Sequence, residues 1–521
     1  MAAGKALLHF HWADYLVFSA VLVTSGVIGL YAAVRHRRAT ARQLLTGNKK
    51  LHVLPVTLSL AVSFISAVTI LGVPTEAYFN SAEYWLVGIS YVPAQLLTCL
   101  FFMPVFYSLE LTSAYQYLEV RFNRTVRLMG SVTFTVEMGG IKAVVWTDAL
   151  QAVVIVASML TLITQGTVSV GGWPAVMQAA RRGARFTWEL DLDPDPFVRH
   201  TLWTLVVGGC LMSLSLYAAN QAMLQRYLSV QSLAKARLTI LLHLPVSEFF
   251  LALSMLTGLV MFAYYEGCDP LLQGKISKAD QMVPLFVMQT LSFFPGLPGL
   301  FVACVYSAAL STVSSGVNSL AAVTLEDFVK PVLEKRQQGR PSERLMSIIT
   351  VVSALLYGLL TIGLAYLAGV VGSTILQIVL SIFGMVGGPL LGVFVVGLFC
   401  PCVNSWGAGV GLVCSLATSL WVGIGAILTR QRTVSSLPPL NTLACHVADN
   451  VTNVTWSGLR ELTTVYSVAT DNVTSATPLS LRFRTSVVLV QQEAGLRPTH
   501  RSKCSAKETN QTMTEEMDTH M

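Results

Sequence analysis

Ten apolar stretches, each long enough to cross a lipid bilayer as a helix, limit what this chain can become. They lie at about 14–34, 53–78, 84–108, 143–165, 201–224, 238–264, 298–324, 346–369, 374–399 and 406–428. Inside lipid every backbone amide must be satisfied within its own segment, so such runs fold as helices. Of the 521 residues, 53% are hydrophobic and only 12% charged, which excludes a soluble domain and predicts an all-α polytopic membrane protein. The first run is too long for the apolar region of a cleavable signal peptide and lacks a small-residue cleavage site, so it counts as a span.

Loop charge orients the spans. Arg35, Arg37 and Arg38 follow the first run, which places that end in the cytoplasm and the N-terminus outside. Alternation then puts Arg121–Arg127, Gln225–Arg237 and Lys330–Arg344 inside, all basic as the rule requires. Arg181, Arg182 and Arg185 fall outside, against it. The net charge of +7 therefore sets orientation and does not mark a nucleic-acid binder. Beyond 428 the chain turns polar, with glycosylation sequons at Asn450, Asn453 and Asn472 that need the lumenal side. Ten crossings from an outside start end outside, in agreement. The expected organisation is a membrane domain over 1–430 and a polar, disordered, glycosylated tail over 431–521. Cys268 and Cys445 fall in the expected exoplasmic segments and are candidates for a disulfide, whereas Cys400 and Cys402 read as packing residues. The last residues, Asp518-Thr519-His520-Met521, resemble a ligand for PDZ domains, with an ordinary disordered end as the plainer reading. PDZ domains are cytosolic, and the span count leaves this tail outside.

Three spans carry polar groups that lipid cannot satisfy. In 298–324, Ser307, Ser311, Ser314 or Ser315, and Asn318 recur every three or four residues and share one helical face, with Thr312 beside it. Lone hydroxyls usually bond back to the carbonyl one turn earlier, but a long stripe ending in a Ser-Thr pair suits a hard cation that wants oxygens. In 54–78, Ser59, Ser63, Ser66, Ala67 and Thr69 are followed by Gly72 and Pro74. A helix broken at mid-membrane exposes carbonyls and half-helix ends, the usual material of transporter sites; a kink that serves packing is the alternative. In 143–165, Asp148 is an intramembrane carboxylate, expected to be functional, or else to reach water or Lys142 near the cytoplasmic end. Gln225 and Arg226, at the end of 201–224, read as an inner-leaflet anchor.

Several long motifs occur in one order: SFISAVTILGVPTEAY (63–78), FMPVFY (102–107), GGIKAVVWTDALQ (139–151), NQAMLQRYLS (220–229), PGLPGLFVACVYSAALSTVSSGVNSLAAVTLEDFVKP (295–331) and SIFGMVGGPLLGVF (381–394). Together they resemble the sodium/solute symporter family across roughly residues 12–430. DLDPDPFVRHTLWTL (191–205), GLVMFAYY (258–265) and GMVGGPLLG (384–392) are most similar to its branch of vitamin, monocarboxylate and iodide carriers. The resemblance implies two inverted five-helix repeats with sodium held between the broken helix and the hydroxyl-striped helix. It implies sodium ligation by the carbonyls of Val62, Ile65 and Ala308 and the hydroxyls of Ser311 and Thr312, with Asp148 on the ion's inward route. It implies solute packing near Ser66, Thr69 and Asn220. Sodium is then the coupling ion and no organic cofactor is expected.

The chain departs from that family in two places. About two more spans are expected between Arg121-Phe122-Asn123 and Gly139-Gly140, where Thr125–Met138 is too short to cross as an ordinary helix. A final helix after the glycosylated segment is also expected, whereas the longest apolar run there is Val487–Val490. The function expected is sodium-coupled uptake of small organic carboxylates such as biotin, pantothenate and lipoate at the plasma membrane. The alternatives are a monocarboxylate or iodide symporter, and a truncated form that does not transport. An intramembrane enzyme would need paired catalytic groups, and Asp148 alone, without a histidine partner, does not supply them.

Overall fold

Lipid-solvated segments leave the backbone one economical choice, and the computed structural model follows it. It describes residues 9–35, 49, 51–64, 66–109, 113–135, 144–186, 191–195, 198, 200–337, 342–368, 375–429, 440, 442 and 445. The helices are α1 (Trp12–Arg35), α2 (Val53–Phe64), α3 (Ala67–Asn80), α4 (Ala82–Ser108), α5 (Gln116–Arg121), α6 (Arg124–Thr135), α7 (Val144–Val170) and α8 (Trp173–Arg182). They continue with α9 (Trp203–Ala219), α10 (Gln221–Tyr227), α11 (Leu233–Tyr264), α12 (Met282–Leu291), α13 (Leu297–Val323), α14 (Lys330–Gln337), α15 (Glu343–Ala368), α16 (Leu376–Phe399) and α17 (Ser405–Thr429). All ten apolar runs are helical among the described residues. Among the described residues seven helices are long and apolar enough to cross a membrane unbroken, and α2/α3 and α9/α10 are pairs bent by 56° and 59°. The described residues hold no strand, only an isolated bridge between Leu51 and Val230.

The second run is broken as expected, whereas the bend within 201–224 is not foreseen in the sequence. Gly72 and Pro74 do not break the second run; both lie inside α3. The break falls just before Ala67, where the Ser66 side chain accepts the Val68 N–H at 3.2 Å and caps the new helix. The run at 201–224 is not one straight span. Asn220 takes an extended conformation (φ −86°, ψ 126°), and its Oδ1 accepts the Ala222 N–H at 2.9 Å, so α10 starts afresh.

α11 is the central post, packed against α3, α7 and α2. α13 lies against α7, α1 and α15. Its N-terminus is pinned by Asp14 of α1, whose Oδ1 accepts the N–H groups of Gly296 (2.9 Å) and Gly299 (3.1 Å). A carboxylate there satisfies orphan donors and suits the positive end of the helix dipole. α6 fills part of the segment judged too short to cross, and residues 136–143, between α6 and α7, are outside the described residues.

By contacts the chain divides into Met1–Ala444, which holds every helix named above, and Cys445–Met521, of which only Cys445 is described. The sequons at Asn450, Asn453 and Asn472 and the C-terminal residues lie outside the described residues. Cys268 and Cys445 are both disulfide-bonded. Cys99, Cys210, Cys304, Cys400, Cys402 and Cys414 are free thiols.

The α3–α11 contact depends on a glycine. A Cβ on Gly258 would stand 2.5 Å from the Pro74 carbonyl oxygen and 2.6 Å from the Ala77 Cβ, so the backbones would have to part. Gly258→Ala is expected to destabilise the purified protein by about 1–3 kcal/mol. Gly358→Ala, with nothing within 4 Å, is expected to leave thermal unfolding unchanged or slightly raised. Equal unfolding temperatures for the two variants would contradict this packing.

Candidate ion and solute site

The breaks bring backbone ends and hydroxyls together at mid-membrane. Beside the C-terminal end of α2, the Thr312 hydroxyl of α13 donates to the Ser63 carbonyl (3.4 Å) and to its own Ala308 carbonyl (3.1 Å). Ser63 Oγ stands 3.4 Å from Ser311 Oγ and 3.4 Å from Ser315 Oγ. Val62, Ala308 and Ser311 are buried, and Ser307 Oγ is buried without a hydrogen-bond partner. Carbonyls at a helix C-terminus carry partial negative charge, and hydroxyl oxygens add lone pairs. Of the five residues expected to hold sodium, Ala308, Ser311 and Thr312 take part in this cluster and Val62 is buried on α2 next to Ser63. The fifth, Ile65, lies outside the described residues.

Asp148 of α7 adjoins this cluster. The Ser311 hydroxyl donates to its Oδ1 at 2.5 Å, and the Ser59 hydroxyl of α2 donates to its Oδ2 at 2.6 Å. Asp148 is fully buried, so it does not reach water, and Lys142 is outside the described residues. Its counter-charge is Arg226 of α10, with Nη2 at 3.7 Å from Oδ2 and neither side chain exposed (0% each). Arg226 also donates from Nε to Ser59 Oγ (3.0 Å), from Nη1 to the Ala222 carbonyl (3.1 Å), and from Nη2 to Ser63 and to Ser315 (2.6 Å). The expected inner-leaflet anchor is therefore corrected: both Gln225 and Arg226 are buried. A guanidinium away from water persists only when most of its fork of donors is engaged, and here four of its five N–H groups have hydrogen-bond acceptors. Asp148 is also not the sole carboxylate within the spans, since Glu76 sits on α3 and Glu248 on α11.

A cavity of about 350 Å³ opens beside the ion cluster. Ser66 and Thr69 at the start of α3, Asn220 at the break before α10, and Thr312 all line it, with Tyr91 of α4 and Ser247 of α11. The rest of the wall is largely apolar, including Leu216, Leu251, Leu376 and Phe383. The three residues expected to pack against solute thus share one cavity. Asn220 Nδ2 is buried and has no hydrogen-bond partner, while its Oδ1 is committed to the α10 cap.

Two helices broken around one oxygen cluster, with a small cavity between the breaks, define an ion-coupled secondary transporter. The Sodium:solute symporter family profile matches residues 125–414. The sodium-dependent multivitamin transporter of Oryctolagus cuniculus is 42% identical over 487 residues, 86% of this chain and 76% of that protein. Sodium-coupled monocarboxylate transporter 1 of Xenopus laevis is 40% identical over 85% of this chain and 77% of its own. The human sodium/iodide cotransporter is 39% identical over 82% and 72%. A solved Na+-coupled sialic acid symporter in a substrate-bound, outward-open state superposes with a TM-score of 0.65 at 20% identity, covering 81% of this chain and 98% of that one, which supports the shared fold. The chain belongs to the sodium:solute symporter family. Its class of activity is sodium-coupled solute symport across a membrane, and it is not an enzyme.

The buried pair gives a direct test. Removing one partner leaves the other charge unpaired, which costs about 3–5 kcal/mol, whereas removing both costs far less. Arg226→Met is expected to lower thermal stability sharply, and Asp148→Asn/Arg226→Met to regain most of the loss. Additive losses in the double variant would mean that the two side chains do not act as a pair.

Proposed function

We propose that this protein carries small organic carboxylates, such as biotin, pantothenate and lipoate, together with sodium across the plasma membrane. The observation that carries the reading is the orphan Asn220 Nδ2 at a mostly apolar cavity. A carboxylate oxygen is the acceptor such a donor lacks, and an apolar wall suits a hydrocarbon body. The start of α3, at Ser66 and Thr69, adds a helix N-terminus with its positive end toward the same space. The relatives named for vitamins and monocarboxylates support this reading over a bare halide.

Sodium is held in this proposal by the carbonyls of Val62, Ile65 and Ala308 and the hydroxyls of Ser311 and Thr312. An ion there ties the end of α2 to α13. The chain then passes directly into α3, whose first turn lines the solute cavity. Ion occupancy therefore fixes one wall of the solute site, which is how binding of one favours the other. Asp148, sharing the Ser311 hydroxyl, marks the route by which the ion leaves toward the cytoplasm.

The second reading is a form that does not transport, favoured by the short connection between α6 and α7. Uptake of labelled biotin by cells expressing this chain, in sodium and in potassium medium, separates the two. Sodium-dependent uptake is expected. Its absence here, with uptake by a version in which two spans are restored, would favour the non-transporting reading. In a transporting form, Ser311→Ala/Thr312→Ala is expected to raise the sodium concentration for half-maximal uptake by about tenfold or more, the equivalent of about 1.4 kcal/mol. Unchanged sodium dependence in a well-expressed double variant would remove these hydroxyls from the site. We also propose that Cys268 and Cys445 pair with each other. Peptide mapping without reductant is expected to recover them linked, and recovery of either bound to another cysteine would refute the pairing.

A further inference from the structure

Glu248 is the sixteenth residue of the 32-residue α11, the midpoint of a membrane span. Nothing in the ion and solute site uses it. It lies at the edge between the lipid-facing side of the helix, marked by exposed Leu241, Leu242 and Phe249, and the interior. Its carboxyl group packs against the α4 backbone at Gly88, where a Cβ would collide with it. Its Oε1 is buried and has no hydrogen-bond partner.

Among the described residues no counter-charge pairs with it. On α4, Tyr84 and Tyr91 lie about one helical turn to either side of Gly88, the residue against which Glu248 packs. Tyr217 of α9 and Gln95 of α4 are buried where these two helices pack together. His243, on α11 itself, is in edge contact with Tyr217, ring centroids 5.2 Å apart. The other acids packed near α11 are already engaged: Glu76 of α3 with His200 at 2.9 Å, and Asp148 of α7 with Arg226. No arginine, lysine or histidine among the described residues pairs with Glu248. An ionised carboxylate midway along a span, with no cation beside it and one buried oxygen that accepts no hydrogen bond, is costly, and the group available to neutralise it is a proton.

We propose that Glu248 is a proton-binding site behind the wall of the solute cavity, holding its proton at neutral pH, and that loss of this proton opposes entry of an anionic solute. The link to the cavity is direct. Tyr91 lines it, and so does Ser247, the residue before Glu248. A negative charge appearing behind Tyr91 would repel a carboxylate on the other side, through a medium that screens poorly. Uptake should therefore be high while Glu248 is protonated and fall as alkaline medium removes the proton. This second half rests on the carboxylate reading above; the protonation itself does not.

Infrared difference spectroscopy of the purified full chain in lipid bilayers tests the protonation without any need for transport. The wild type minus Glu248→Gln spectrum at neutral pH is expected to show the carbonyl stretch of a protonated carboxyl group. Glu248→Asp, which keeps the acid, is expected to shift that band and not abolish it, and it serves if the amide variant folds poorly. A difference spectrum showing only the bands of an ionised carboxylate would overturn the proposal. In cells, sodium-dependent uptake by the wild type is expected to fall several-fold from neutral to alkaline medium, and uptake by Glu248→Gln to stay high. The same pH profile in both would overturn the coupling to solute. A protonated-carboxyl band in a chain that moves no carboxylate would leave the proton site standing and count against the carboxylate reading.

Discussion

A carboxylate and a guanidinium, both removed from water, hold the centre of this protein. Asp148 and Arg226 come from α7 and α10, and the hydroxyls that complete their shells come from α2 and α13. Four elements thus converge on one charge pair. Such a pair does not stabilise by its attraction alone, because desolvating both ions costs as much or more. Its effect is specificity: any arrangement that separates Asp148 from Arg226, or pulls Ser59 and Ser311 away, leaves a bare charge in a lipid-surrounded interior.

The two helix breaks follow from that centre. An unbroken α9/α10 would carry Arg226 on along the line of the span; the turn at Asn220 directs α10 inward instead. The break between α2 and α3 frees carbonyls at one end and opens a helix N-terminus at the other. Charge complementarity then divides the labour: cations belong at the carbonyl end and anionic groups at the amide end. Thr312 of α13 and Asn220, with its orphan amide, both line one small-molecule cavity.

Much of this was legible in the chain because lipid imposes simple rules. The helical runs, the hydroxyl stripe at Ser307, Ser311 and Ser315, and the shared cavity of Ser66, Thr69 and Asn220 follow from hydropathy, helical spacing and motif resemblance; of the ten spans expected, the described residues show seven unbroken helices and two bent pairs. The errors have one common cause, which is counting along a straight helix. Arg226 falls at the end of an apolar run and so looked interfacial; the bend at Asn220 buries it. Ser66, one of the small polar residues of the second run, supplies the cap at its break, and Pro74 lies inside α3. An Asn or Ser followed by a fresh helical turn was the available signal at both breaks. Glu248 lies outside every motif of the family resemblance, and a lone carboxylate in an apolar run has no spacing partner to mark it.

The central claim is that the oxygens between α2 and α13 bind sodium, and equilibrium binding of radioactive sodium to the purified full chain in lipid tests it most directly. Thr312→Val keeps the shape of the side chain and removes its oxygen. The account predicts saturable sodium binding by the wild type and binding weakened by about tenfold or more in Thr312→Val, with thermal stability in sodium-free buffer little changed. Equal sodium affinity in the two proteins would contradict it.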